Sequence, residues 1–211
     1  MKVLLVDADN SQFPNRALMN LSALHKSKGD KVFFRQNCKP DLIEISCVFS
    51  KNLKRAKGIS KLNPDIDIRI GGPAVEQTWL PLEAEHIMPD YGLYGIDYSI
   101  GVTSRGCIRH CSFCNVPKLE GAFRENSPVE EFLDPSHRKV IFLDNNFLAS
   151  TQWEGKLERV RDLKVSICQG LDARLIDQDT AEYLRDYPLY NWRFTEKAYY
   201  TAWDLIEDEE Q

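Results

Sequence analysis

Cys107, Cys111 and Cys114 stand in the run Arg105-Gly106-Cys107-Ile108-Arg109-His110-Cys111-Ser112-Phe113-Cys114-Asn115. The spacing CxxxCxxC lets one short loop turn three thiolates toward a single inorganic group. A cubane of four irons ordinarily takes four thiolates, so three from one loop leave one iron open to a substrate or cofactor. Closely spaced Cys and His can also build a structural zinc site, and His110 lies inside the loop. Such sites usually bring a second ligand pair from elsewhere, whereas this chain offers only single residues such as His86, His137 and Cys168. His110 also directly precedes Cys111, and adjacent side chains diverge in an extended or helical backbone. Ordinary buried thiols are a third reading, disfavoured by three cysteines within eight residues beside a glycine and charged side chains. An iron–sulfur cluster is the leading reading, and zinc the alternative.

The loop resembles the cluster loop of the radical S-adenosylmethionine (radical SAM) enzymes. The resemblance implies a 4Fe–4S cluster on Cys107, Cys111 and Cys114, with the open iron chelating S-adenosylmethionine. It implies reductive cleavage of that cofactor to methionine and a 5′-deoxyadenosyl radical, which takes hydrogen from a substrate the sequence does not name. It also implies a low-potential electron donor such as a flavodoxin or ferredoxin. In this family the aromatic residue at the place of Phe113 lies near the adenine. Asp144-Asn145-Asn146-Phe147 occupies the place where the family often has Gly-Gly-Glu, so Asp144 or Asn145 would take the methionine amino group. Asp172 and Arg174 would meet the ribose or carboxylate, or form a plain surface ion pair. Arg105 and Arg109 would offset cluster charge or face solvent, and Asn115 to Gly121 would shape the turn beneath. Cys114-Asn115-Val116-Pro117 is also similar to the methylthiotransferases, but their second cluster needs three N-terminal cysteines where this chain has Cys38 and Cys47.

The elements that must position this loop alternate between strand and helix. Tyr98 to Thr103 reads as a strand delivering the cysteines from its carboxyl end. Ser127-Pro128-Val129-Glu130 carries a capping-box helix start. Lys139 to Asp144 is the next strand, Leu157 to Leu163 a helix, Lys164 to Cys168 a strand, Asp177 to Arg185 a helix, and Phe194 to Trp203 the place of a fourth strand. Polar residues at strand carboxyl ends are the barrel pattern. The resemblance implies a radical SAM partial barrel over residues 98–211. That stretch holds only about four of the family's usual six units, at roughly thirty residues each. The acidic helix start at Asp204 to Glu210 breaks off after about two turns. The expectation is therefore a truncated barrel in a fragment of a longer protein, which could be inactive by itself.

Residues 1–75 read as a small doubly wound parallel sheet. Lys2 to Asp7 is a continuous apolar strand, and Pro14 opens a helix striped by Leu18, Leu21 and Leu24 and ended by Gly29. Val32 to Phe34 and Leu42 to Phe49 follow as strands, then a basic helix, then the alternating edge strand Ile66 to Ile70. Asp7-Ala8-Asp9-Asn10 and Gly71-Gly72-Pro73 lie at strand carboxyl ends, where such sheets bind ligands. The unit is similar to the cobalamin-binding domain that often precedes a radical SAM barrel. Its signature Asp-x-His-x-x-Gly is absent, so cobalamin could bind here only without a histidine from this loop, and a scaffold is the favoured reading. No GxGxxG or P-loop supports a nucleotide site. Residues 76–97 read as a connecting segment, anchored by Trp79, Tyr91 and Tyr94.

Of the 211 residues, 43% are hydrophobic and 28% charged, which is ordinary globular usage. A net charge of -5 and a pI near 5.5 oppose a general nucleic-acid surface. The basic run Lys51 to Lys61 fits one solvated helix face. No apolar run is long enough to span a bilayer. With no apolar leader after Met1 and half of the six cysteines in one cluster, the expected setting is a reducing cytoplasm.

Overall fold

A computed structural model describes residues 1–36, 38–75 and 80–201. Trp79 and the acidic helix start from Asp204 lie outside the described residues. The chain divides into two compact units, Met1–Ile96 and Asp97–Gln211, and both are built on parallel sheets.

In the first unit β1 (Lys2–Asp7), β2 (Lys31–Phe34), β3 (Leu42–Ser46) and β4 (Asp67–Gly71) form a four-stranded parallel sheet in the order β2-β1-β3-β4. Helix α1 (Arg16–Ser27) packs on one face with Val3, Leu5 and Leu42; α2 (Leu53–Leu62) packs on the other with Ala8, Ile43 and Ile45. The two-faced burial follows from the period of two in β1 and β3, and the sheet is doubly wound. Helix α1 begins two residues after the expected proline: Asn15 is the N-cap, accepting from Leu18 N at 3.2 Å. On α2, Leu53, Ala56 and Ile59 face the core while Lys54, Arg55, Lys57 and Lys61 are exposed, the arrangement of a solvated basic face. The short helix α3 (Leu82–Glu85) is tied to α1, because Asn20 Nδ2 donates to Ala84 O at 2.6 Å. Residues 80–96 thus pack as part of this unit, with Tyr91 buried and the Tyr94 ring tilted against Phe34 at 4.8 Å.

In the second unit β5 (Ser99–Gly101) leads into β6 (Ser104–Arg105), then α4 (Val116–Leu119) and β7 (Arg124–Glu125). β8 (Lys139–Phe142) and β9 (Lys164–Ile167) complete a three-stranded parallel sheet in the order β5-β8-β9. Val140, Phe142, Val165 and Ile167 point to the larger core, which also takes Phe132, Phe147, Leu157 and Leu184. Ile100 and Ile141 are buried as well, as expected of parallel strands covered on both sides. Helices α5 (Trp153–Glu158) and α6 (Gln178–Asp186) complete the unit, and Asp177 caps α6 by accepting from Thr180 N at 2.8 Å.

Three expected elements differ. The capping box at Ser127 does not start an α-helix: only a 3-10 turn, Val129–Glu131, forms, and Glu130 pairs with Arg159 instead. Phe132 then enters the core, and Pro135 keeps Asp134 out of the helical region. The helix expected at Leu157 lies earlier, at Trp153–Glu158, with tight turns carrying the chain past Val160 to Leu163. No strand forms over Phe194 to Thr201. The position beside β9 is taken by Leu189 and Tyr190, where Tyr190 N donates to Val165 O at 2.8 Å, and Phe194 turns the chain at φ 59°.

Candidate functional site

The cysteine loop is an excursion from the carboxyl end of β5, closed at its base where β6 pairs antiparallel with β7. Gly106 makes that closure possible. It sits at φ 73°, and a Cβ there would lie 2.2 Å from Ala122 O, so only glycine fits. Glu120 at the end of α4 gathers the loop from inside. Its carboxylate accepts from Gly106 N at 3.2 Å, from Arg105 Nη1 at 3.0 Å and from Asn145 Nδ2 at 2.7 Å. Sequence reasoning assigned Glu120 nothing, because its partners lie 14 to 25 residues away.

The donor set at the sulfurs suits thiolate ligands. Arg109 N donates to Cys107 Sγ at 3.3 Å and Val116 N donates to Cys114 Sγ at 3.4 Å, each from two residues ahead. A turn in which Cys114 N donates to Cys111 O at 3.0 Å joins the second and third cysteines. All three are half-buried and free of disulfides, whereas His110 is exposed. Among the described residues no three His, Cys, Asp or Glu side chains are gathered to hold one metal ion. Aimed N–H donors satisfy anionic sulfur and are the means by which a protein adjusts an iron–sulfur cluster. By donor chemistry the three thiols fit a thiolate-ligated metal centre, a cluster among them.

Of the polar residues singled out from the sequence, Asp144 is the most deeply held. It is fully buried, and its carboxylate accepts from Thr103 N (3.1 Å), Ser104 N (2.6 Å) and both hydroxyls of those residues. Oδ1 takes three of these bonds and Oδ2 one, so Asp144 locks the entry to the cysteine loop. Asn145 is half-buried and engaged with Glu120. Asp172 and Arg174 are together: Arg174 Nε donates to Asp172 Oδ1 at 2.9 Å, and Arg109 Nε, from the cysteine loop, donates to Oδ2 at 3.0 Å. This is a half-buried clamp joining the β9 end to the loop. Burial works against the Asp172 charge, but bonds from Arg174, Arg109 and Asn146 hold its carboxyl below the usual range. Phe113 is 57% exposed on the loop, and Ile108 45%. Asn146 was passed over. It is buried between Cys107 and Asp172, where the turn is anchored by Phe147 packing on Phe142 at 5.0 Å.

The carboxyl end of the first sheet is folded onto itself. Asp9 accepts from Val48 N (2.6 Å), Phe49 N (3.2 Å) and Asn52 Nδ2 (2.7 Å), bridging the β1 loop to the β3 loop. Asp7 accepts from Asp9 N at 3.0 Å and from the Tyr94 hydroxyl at 3.2 Å. Gly72, at φ 110°, lies where a Cβ would stand 2.4 Å from Cys47 O, so that close approach is between two backbones of the chain itself. A buried polar cluster lies elsewhere in this unit. His25 places Nδ1 2.8 Å from Asp30 and Nε2 3.1 Å from Glu44.

No protein-family model and no curated protein matches this chain. Among the described residues no helix is long and apolar enough to cross a membrane.

Proposed function

We propose that this chain is a radical SAM enzyme unit preceded by a doubly wound scaffold. The observation that carries the reading is the pair of N–H groups aimed at Cys107 and Cys114 within a CxxxCxxC loop hung from a parallel strand. Cys107, Cys111 and Cys114 would hold a 4Fe–4S cluster. When bound, that group with its open iron supplies one-electron reduction of S-adenosylmethionine, the source of an adenosyl radical that takes hydrogen from substrate. The chain's own residues orient and insulate. Asp144 holds the loop entry, Glu120 holds its base, and Asp172 with Arg109 and Arg174 ties the loop to the β9 end. The exposed Phe113 offers a planar face for a nucleobase.

The β5-β8-β9 order, with every site residue beyond a strand carboxyl end, supports a partial barrel as the finer architecture. The first unit is read as a scaffold rather than a cobalamin site, because Asp9 is engaged in bonding the β1 loop to the β3 loop. A flavodoxin or ferredoxin would be the electron donor. The test is anaerobic reconstitution with iron and sulfide. About four of each per chain are expected, lost in Cys107→Ser, Cys111→Ser and Cys114→Ser and kept in Cys38→Ser. Loaded protein given S-adenosylmethionine and a strong reductant should release 5′-deoxyadenosine. Tight uptake of one zinc with refusal of iron and sulfide would overturn the reading.

A further inference from the structure

We propose that Asn146 is a positioning residue that tunes the cluster through the Cys107 sulfur, an inference that rests on the cluster reading above. Asn146 is only 4% exposed, and its Nδ2 donates to Cys107 Sγ at 3.6 Å and to Asp172 Oδ2 at 3.0 Å. Both facing groups only accept: one is a thiolate when ligated, the other a carboxylate. The amide must therefore present its nitrogen to both, which uses its two hydrogens. The consequence is visible at the other end, where Asn146 Oδ1 is buried with no partner. An orphaned buried acceptor is costly and uncommon, and here it follows from directing both donors toward sulfur and carboxylate.

Asp172 fixes the direction. Its Oδ2 takes both the Asn146 amide and Arg109 Nε, while Oδ1 takes Arg174. Held by two guanidiniums, the carboxylate cannot rotate away, so the amide's second hydrogen stays on Cys107. Arg109 meets the same sulfur through its backbone N–H at 3.3 Å. Cys107 thus receives one donor from its own loop and one from the end of β8, while the described bonds to Cys114 include only the local kind. A donor on a ligating sulfur stabilises the more negatively charged, reduced cluster. Asn146 therefore raises the reduction potential and does so asymmetrically, at the Cys107 corner.

The test compares reconstituted wild type with Asn146→Leu, which keeps the volume and removes both donors. Iron and sulfide content are measured first, then the midpoint potential by titration followed by electron paramagnetic resonance. The variant should load equally and titrate at lower potential, its reduced-to-oxidised ratio falling about threefold or more at fixed poise. An unmoved midpoint in a fully loaded variant overturns the role of Asn146 and leaves the cluster reading intact. Wild type that takes up no cluster removes both. Should Asn146→Leu fail to fold or load, pulsed resonance on reduced wild type carrying 15N only in asparagine side chains decides. A coupled amide nitrogen supports the bond to sulfur, and its absence overturns it.

Discussion

Asp144→Ala separates a structural carboxylate from a ligand-binding one. In the structure Asp144 is fully buried and accepts from two backbone N–H groups and two hydroxyls at the β5–β6 corner. Truncation leaves Thr103 N and Ser104 N as orphaned buried donors, at about 1–3 kcal/mol each. The two hydroxyls can rotate to other acceptors, and removal of a buried charge returns part of its desolvation. The net loss comes to about 3 kcal/mol, or a fall of about 10 °C in the melting temperature of a unit this size. Asp144→Asn, which keeps one acceptor oxygen but turns an amide N–H toward existing donors, should fall between. The assay is urea unfolding of the oxygen-protected, metal-free protein, followed by tryptophan emission from the second unit, where Trp153 and Trp192 lie. The same variants are then tested for iron uptake, which should fall with stability because the loop entry loosens. A loss below about 0.5 kcal/mol with unchanged denaturant slope, paired with weakened S-adenosylmethionine binding, would refute the reasoning and return Asp144 to the ligand.

Three further outcomes are expected. Gly106→Ala drives a Cβ into Ala122 O at a positive φ, so it should cost about 1–3 kcal/mol and reduce iron uptake; normal loading would show that the β6–β7 closure does not govern the loop. Asp172 has a lowered carboxyl pKa in the folded state, so its contribution is complete above the unfolded value of about 3.9 and is lost as pH falls through the lower folded value. The stability gap between wild type and Asp172→Asn, read from urea midpoints, should be constant near neutrality and shrink below about pH 4; a gap that widens on acidification would contradict the clamp. Phe132→Ala empties a fully buried site edge-on to Phe142 at 6.1 Å and should cost about 3–5 kcal/mol by chemical unfolding, whereas a loss under about 1 kcal/mol would mean the core closes over the gap.

The strands were legible from the sequence because parallel strands are covered on both faces and appear as short β-branched and leucine runs. Lys2–Asp7, Lys139–Phe142 and Lys164–Ile167 are such runs. The cysteine loop was legible because its three sulfurs lie within eight residues, so their spacing is a local property. The misplaced elements were decided by competition between local signals and the core. The capping box at Ser127 lost to Phe132 and Pro135, and the fourth position beside β9 went to Leu189, only 2% exposed, rather than to the aromatic run after Phe194.

Local chemistry marked where Asp144, Asn145, Asp172 and Arg174 fall, at strand ends, but not what each would touch. Their partners lie across the chain: Thr103 and Ser104 for Asp144 at separations of 41 and 40 residues, Glu120 for Asn145 at 25, and Arg109 for Asp172 at 63. Asn146 carried no signal of its own, since an asparagine after a strand is an ordinary turn residue. Spacing along the chain determines which side chains can act as one local set. Which acceptor a buried donor meets is decided only when the sheet brings distant strand ends together, because burial obliges those groups to pair with whatever folding places beside them.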